Sequence, residues 1–167
     1  HQRILIENQH IEQVYPENFY LFFQIPSYKF DVPFENVKLP VMHTVPTGKS
    51  KGTILIHGGN DSYFEEFLFT VLYLREKGFE VYMFEGPGQG RVMRVQGMHF
   101  THEWEKPVKA VLDYFKLDDV TIIGISLGGY LAPRAAAFDK RIKRVVAWSV
   151  FPCFPVQIRH LLRPPYR

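Results

Sequence analysis

The sequence has a single cysteine, Cys153, so no internal disulfide framework can form. One thiol in a 167-residue chain points to a reducing compartment, and a cytoplasmic location is expected. No apolar run approaches the ~20 residues that a membrane span requires, so no membrane partner is expected. Net charge is +3, too small an excess to argue for nucleic acid. The basic cluster Lys140, Arg141, Lys143 and Arg144 reads as a solvated helix end and loop. No His/Cys/Asp group has metal-ligand spacing, so neither a metal nor a cofactor is expected. The opening His1-Gln2-Arg3 lacks both a starting methionine and a signal-peptide pattern, which predicts a trimmed or cut N-terminus.

What is present suffices for one domain with a sizeable core, since 46% of residues are hydrophobic and 16% aromatic. The chain is organised around residues 119–138, DVTIIGISLGGYLAPRAAAF. Val120, Ile122 and Ile123 form a β-branched run of the kind buried on both faces of a parallel sheet. An alanine-rich helical stretch follows Gly124-Ile125-Ser126-Leu127-Gly128. This is G-x-S-x-G between a strand and a helix, the context in which the motif carries chemistry. Side chains at the two flanking positions would collide with a sharp turn, which accounts for Gly124 and Gly128. The serine hydroxyl is thereby presented clear of the sheet, beside a helix N-terminus with free N–H groups.

Residues 1–33 are dense in Phe and Tyr, punctuated by Pro16, Pro26 and Pro33, and read as an N-terminal extension packing on the core. Residues 34–46 read as one or two antiparallel edge strands, where Pro40 is tolerable. Gly48-Lys49-Ser50 is not a phosphate loop, because the earlier glycine of that motif would fall at His43. A buried strand from Gly52 to Ile56 ends in His57-Gly58-Gly59-Asn60-Asp61. Ser62-x-x-Glu65 then predicts a capping box opening a helix with Phe64, Phe67, Leu68, Val71 and Leu72 inward, closed by Gly78.

The strand Glu80 to Phe84 leads into Glu85-Gly86-Pro87-Gly88-Gln89-Gly90-Arg91, read as a tight structural turn with no helix directly behind it. Residues 101–116 form a further helix with Trp104, Val108, Val111, Leu112 and Phe115 on one face. Lys143 to Trp148 closes the series as a strand. Strands alternating with helices predict a parallel sheet covered on both faces.

With HGGND, EGPGQGR and GISLGG after successive strands, the chain resembles an α/β-hydrolase. It is most similar to the bacterial esterase and acyl-peptidase-like branch, which carries an N-terminal segment before the core. The likeness runs from about Phe34 to Trp148, with Glu85 where the family more often has aspartate. It implies a three-layer α/β fold with a mostly parallel central sheet, over a core at 34–150. It also implies Ser126 as nucleophile for a small-molecule acyl substrate, and an oxyanion hole of the Leu127 N–H with one from Asn60 or Gly59. His57 resembles the histidine that braces the oxyanion loop by hydrogen bonds.

The family's acid and histidine follow its serine, yet after Ser126 only Asp139 and His160 are available. Asp139 falls past the serine helix, and His160 lies in the proline-rich tail 151–167, where a lid would start. The expectation is therefore a hydrolase cut after its sixth core strand, with its C-terminal part missing and little turnover on its own. A non-catalytic binding or scaffold module is the alternative reading. An open edge at Lys143 to Trp148 would favour self-association or a complementing polypeptide.

Overall fold

The computed structural model describes residues 27–149. Its sheet begins with β1 (Ser27–Phe34), which turns at Glu35 (φ 48°) into β2 (Val37–Thr44), its antiparallel partner. The first strand therefore starts earlier than the sequence pattern indicated, inside the segment read as extension. Tyr28, Phe30, Val32 and Phe34 alternate with Lys29, Asp31 and Pro33 as a strand requires, but Pro33 disguises it as punctuation. β3 (Thr53–His57) leads through a 3-10 turn (Phe64–Phe67) into α1 (Leu68–Glu76), and β4 (Glu80–Phe84) follows. Gly78, at φ +94°, closes α1 as expected.

The Ser62–Glu65 capping box does not form. The 3-10 turn starts one residue later, where the Tyr63 N–H donates to Glu66 Oε1 at 2.9 Å. Ser62 Oγ instead donates to Gly59 O, and the Glu65 carboxylate is buried in an ion pair. The glycine turn after β4 also differs from expectation, since a short helix, α2 (Gly90–Arg94), opens directly behind it. α3 (Glu105–Tyr114) starts later than predicted, with Trp104 buried just before it. β5 (Val120–Ile125), α4 (Gly128–Phe138) and β6 (Ile142–Trp148) complete the described chain.

The strands form one sheet in the order β1-β2-β4-β3-β5-β6. β2 pairs antiparallel with β4, and β4, β3, β5 and β6 run parallel. Alternate residues divide the sheet into two buried faces. Leu55, Tyr82, Phe84 and Ile122 join Val108, Val111 and Leu112 of α3 and Leu131, Ala132 and Ala135 of α4. Ile54, Ile56, Val81 and Met83 face the other way, against Phe64, Leu68 and Val71. Each buried Leu, Ile or Phe among them contributes about 1.5–3 kcal/mol by burial. The expected three layers with a mostly parallel sheet are thus present.

This topology fixes where a ligand can sit. β3 and β5 are neighbours, yet the chain leaves β3 toward β4 on one side and β5 toward β6 on the other. Their C-terminal ends, His57 and Gly124 in register, therefore flank a topological switch point. In open α/β sheets a crevice for ligands opens at such a point.

Candidate active site

Two loops and one elbow meet at the switch point. The elbow is Ser126, which takes φ +57°, a left-handed conformation that costs a residue with a Cβ roughly 1 kcal/mol or more. Its N–H donates to Trp148 O at 3.0 Å, and its carbonyl accepts from Gly129 N–H at 2.8 Å, so strand and helix hold it from both sides. The serine side is solvent-exposed. Neither flanking glycine leaves room for a side chain. A Cβ on Gly124 would lie 1.9 Å from Gly128 O, and one on Gly128 would lie 2.7 Å from Gly58 O. Leu127 opens α4 behind the serine, and its N–H makes no hydrogen bond among the described residues.

The loop 57–61 lies directly against this elbow. A Cβ on Gly59 would come 2.7 Å from Leu127 N and 2.9 Å from Ser126 Cβ. The missing side chain at residue 59 is therefore what keeps space open beside the serine. Asn60 follows, exposed at the loop tip. Ser126, Leu127, Gly59 and Asn60 are thus brought to one end of the sheet from sequence positions more than sixty apart.

His57 is wholly buried between Phe84 and Trp104, with ring centroids 5.6 and 5.1 Å away. Burial holds its pKa down at about 4, partly opposed by the contact of Nδ1 with Gly58 O at 3.0 Å. A neutral imidazole donating through Nδ1 braces the loop, the role the resemblance implied.

The second loop, 85–91, carries residues that the sequence reading passed over. Gln89 is 1% exposed, and its Nε2 donates to both Gly58 O (2.7 Å) and Gly59 O (2.9 Å). Its Oε1 accepts from Gly86 N–H at 2.8 Å. Asp61 N–H donates to Gly88 O, and Arg94 pairs with the Asp61 carboxylate. Beneath them Arg91 joins two buried carboxylates, Glu65 and Glu85. Glu85 also accepts from the Phe64 and Arg91 N–H groups. Burial pushes Glu85 up to about 7, Arg91 pulls the other way, and Glu65 adds to the rise. The available signal was polar residues set between glycines, where no neighbouring side chain competes for the backbone.

Asp139 caps the far end of α4, about 16 Å of helix from the serine, and is paired with Arg141, which holds its pKa low. Arg141 also reaches Asp113, and Arg144 binds Asp119, so half of the basic cluster is paired rather than simply solvated. His99 and His102 are exposed. His160 and Cys153 lie outside the described residues. Among the described residues no cluster of His, Cys, Asp and Glu could hold a metal, and no helix is long and apolar enough to cross a membrane.

Residues 53–167 match the model of the alpha/beta hydrolase family. The hydrolyase poxO of Penicillium oxalicum is 36% identical over 135 residues, covering 72% of this chain and 32% of that protein. The 20-hydroxy-prefusarin hydrolase FUS2 of Gibberella moniliformis is 33% identical over 135 residues, covering 71% and 32%. Both of these relatives are fungal proteins. In fold, the chain is similar to the 2,6-dihydroxy-pseudo-oxynicotine hydrolase (TM-score 0.69, 24% identity, 81% of this chain and 41% of that one). It is also similar to the Pyrococcus furiosus esterase Pf2001 (TM-score 0.60, 19% identity, 77% and 52%). The chain spans about a third of the length of the curated relatives it matches. With three motifs at the ends of three parallel strands and a family match over most of its length, this chain belongs to the α/β-hydrolase family.

Proposed function

We propose that this chain carries the nucleophile and oxyanion-hole half of a serine hydrolase acting on an ester, amide or related acyl bond. The observation that carries the reading is Ser126 at φ +57° with Gly59 packed against Leu127 N beside it. Ser126 Oγ attacks the acyl carbon and forms a new C–O bond, while the carbonyl π electrons move onto oxygen. The Leu127 N–H and a second N–H, from Asn60 or Gly59, stabilise that oxyanion. Collapse of the intermediate breaks the bond to the leaving group, which departs with a proton, and water then cleaves the acyl-serine.

The proton from Oγ needs a base, and no described residue fills that role. His57 is buried with its Nδ1 against Gly58 O, and Asp139 is at the wrong end of α4. The base and its acid partner therefore belong to residues outside 27–149, in the serine, acid, histidine order of the family. A fluorophosphonate probe on the full-length protein tests the assignment. Labelling is expected at Ser126 and lost in Ser126→Ala; labelling that persists in the variant sinks it.

The same lack of a base among the described residues favours one second reading, a non-catalytic hydrolase domain that binds an acyl compound or a partner. Reading the gene past Arg167 separates the two. An aspartate at a strand end followed by a late histidine supports the enzyme, and a stop codon there supports the module.

A further inference from the structure

The Gln89 side chain does something that the catalytic reading does not use. Its amide is buried at the junction of the two glycine loops and makes three hydrogen bonds with unambiguous polarity. Gly58 O and Gly59 O can only accept, and Gly86 N–H can only donate, so the Nε2 and Oε1 positions are fixed.

Peptide geometry turns those contacts into a statement about the opposite face of the loop. In a trans peptide the carbonyl of residue i and the N–H of residue i+1 point in opposite directions across one rigid plane. No cis peptide occurs among the described residues. Holding Gly58 O on Gln89 therefore turns the Gly59 N–H away from Gln89. Holding Gly59 O does the same for the Asn60 N–H. These are the two alternative loop donors to the oxyanion. Their orientations are tied to one side chain, which is itself anchored on Gly86.

We propose that Gln89 is a positioning residue that aims the Gly59 and Asn60 N–H groups at the developing oxyanion. The inference rests on the serine-hydrolase reading of the site. Gly58 O also meets His57 Nδ1, and Gly59 O also accepts from Ser62 Oγ, so both carbonyls keep one partner when Gln89 is changed. The loop then survives with its planes free to rotate. Gln89→Glu sets carboxylate oxygens against two carbonyl oxygens and repels them. Gln89→Met fills the same space with no donor and only a weak sulfur acceptor.

The test is steady-state hydrolysis of p-nitrophenyl butyrate by the full-length protein, with rates normalised to the folded fraction from a cooperative melt. Removing one oxyanion donor costs about 10²–10³ in kcat. Misaiming one is expected to cost roughly 10–100-fold in Gln89→Met and more in Gln89→Glu, with KM within about threefold of the parent. The affinity of a trifluoromethyl ketone, whose adduct carries the oxyanion, should fall by the same factor as kcat/KM.

A folded variant with kcat within twofold of the parent overturns the proposal. So does a set of variants that cannot fold, because Gln89 would then hold the fold rather than aim the site. Ser126→Ala, run alongside, separates the layers. If it retains activity, the serine reading fails; if it is dead while the Gln89 variants are fully active, only this inference fails.

Discussion

The Nδ1 of His57 lies 3.0 Å from the carbonyl oxygen of Gly58, while its Nε2 is buried with no hydrogen-bond partner among the described residues. This histidine is therefore neutral in the fold, and protonating it is costly. Its pKa falls from the ordinary 6.5 to about 4, so its share of stability is complete above pH 6.5 and is lost as pH falls toward 4. Glu85 has the opposite sign. Its pKa rises from 4.5 to about 7, so its share is complete below pH 4.5 and is lost as pH rises through 7. Each amounts to on the order of 3 kcal/mol, and the two largely cancel between pH 4.5 and 6.5.

Single variants are expected to uncouple this balance. In His57→Gln only the Glu85 contribution remains, so stability should rise as pH falls from 7 to 4.5. In Glu85→Gln only the His57 contribution remains, and stability should fall as pH drops from 6.5 to 4. Urea unfolding across that range reads both slopes. Parallel profiles for the two variants and the parent would mean that neither group titrates with folding.

The strain at Ser126 gives a second prediction. At φ +57° a Cβ is disfavoured and glycine is not. Ser126→Gly should therefore raise unfolding free energy by about 0.5–1 kcal/mol. Ser126→Ala keeps the Cβ and should gain nothing of that kind. Equal stabilities for the two variants, by urea melts at pH 7, would remove the strain argument.

Much of this elbow is legible in the sequence because its requirements are steric and local. Gly124 and Gly128 sit where any Cβ would strike backbone, and the β-branched run before them suits a buried strand. The brace beneath is not legible in the same way. Gln89 meets Gly58 and Gly59 from thirty residues away, and no periodicity encodes such a contact. Glu65 shows a subtler failure. Ser62 and Glu65 have the spacing of a capping box, but Arg91 offers the buried carboxylate a stronger partner, and the turn starts one residue later. β1 was obscured because Pro33 reads as punctuation, while the pairing of the strand with β2 is set by the hairpin.

Gly59 supplies a third prediction, about space rather than strain. In Gly59→Ala the new methyl must move the Leu127 amide or the Ser126 Cβ, both under 3 Å away. Overpacking of this kind costs about 1–3 kcal/mol, and it fills the place beside the serine. Fluorophosphonate labelling of the full-length variant should slow by at least roughly tenfold, a shift of about 1.4 kcal/mol in the barrier. Gly48→Ala is the control, with nothing within 4 Å of its added Cβ. Unchanged labelling in Gly59→Ala would mean that the loop does not approach the serine this closely.

The last prediction concerns the sheet edge. β6 pairs with β5 on one side and with no strand on the other among the described residues. Val145, Val146 and Trp148 are 40%, 45% and 57% exposed along it. Val146 and Trp148 continue into an apolar groove with Ile123 and, across it, Phe69 and Tyr73 of α1. Unpaired backbone groups beside such a surface are a template for a further strand. Arg144 is held by Asp119, so one of the charges that could blunt the edge is already paired.

We therefore expect the 167-residue chain to self-associate, or to bind a second polypeptide that adds a strand to this edge. Light scattering across a dilution series should show mass falling toward the monomer only at low concentration. Val146→Lys, which puts a charge on the edge, should shift that transition to higher concentration, and Trp148 fluorescence should shift with it. A compact monomer with a cooperative melt at micromolar concentration would mean that the edge and its groove are covered from within the chain.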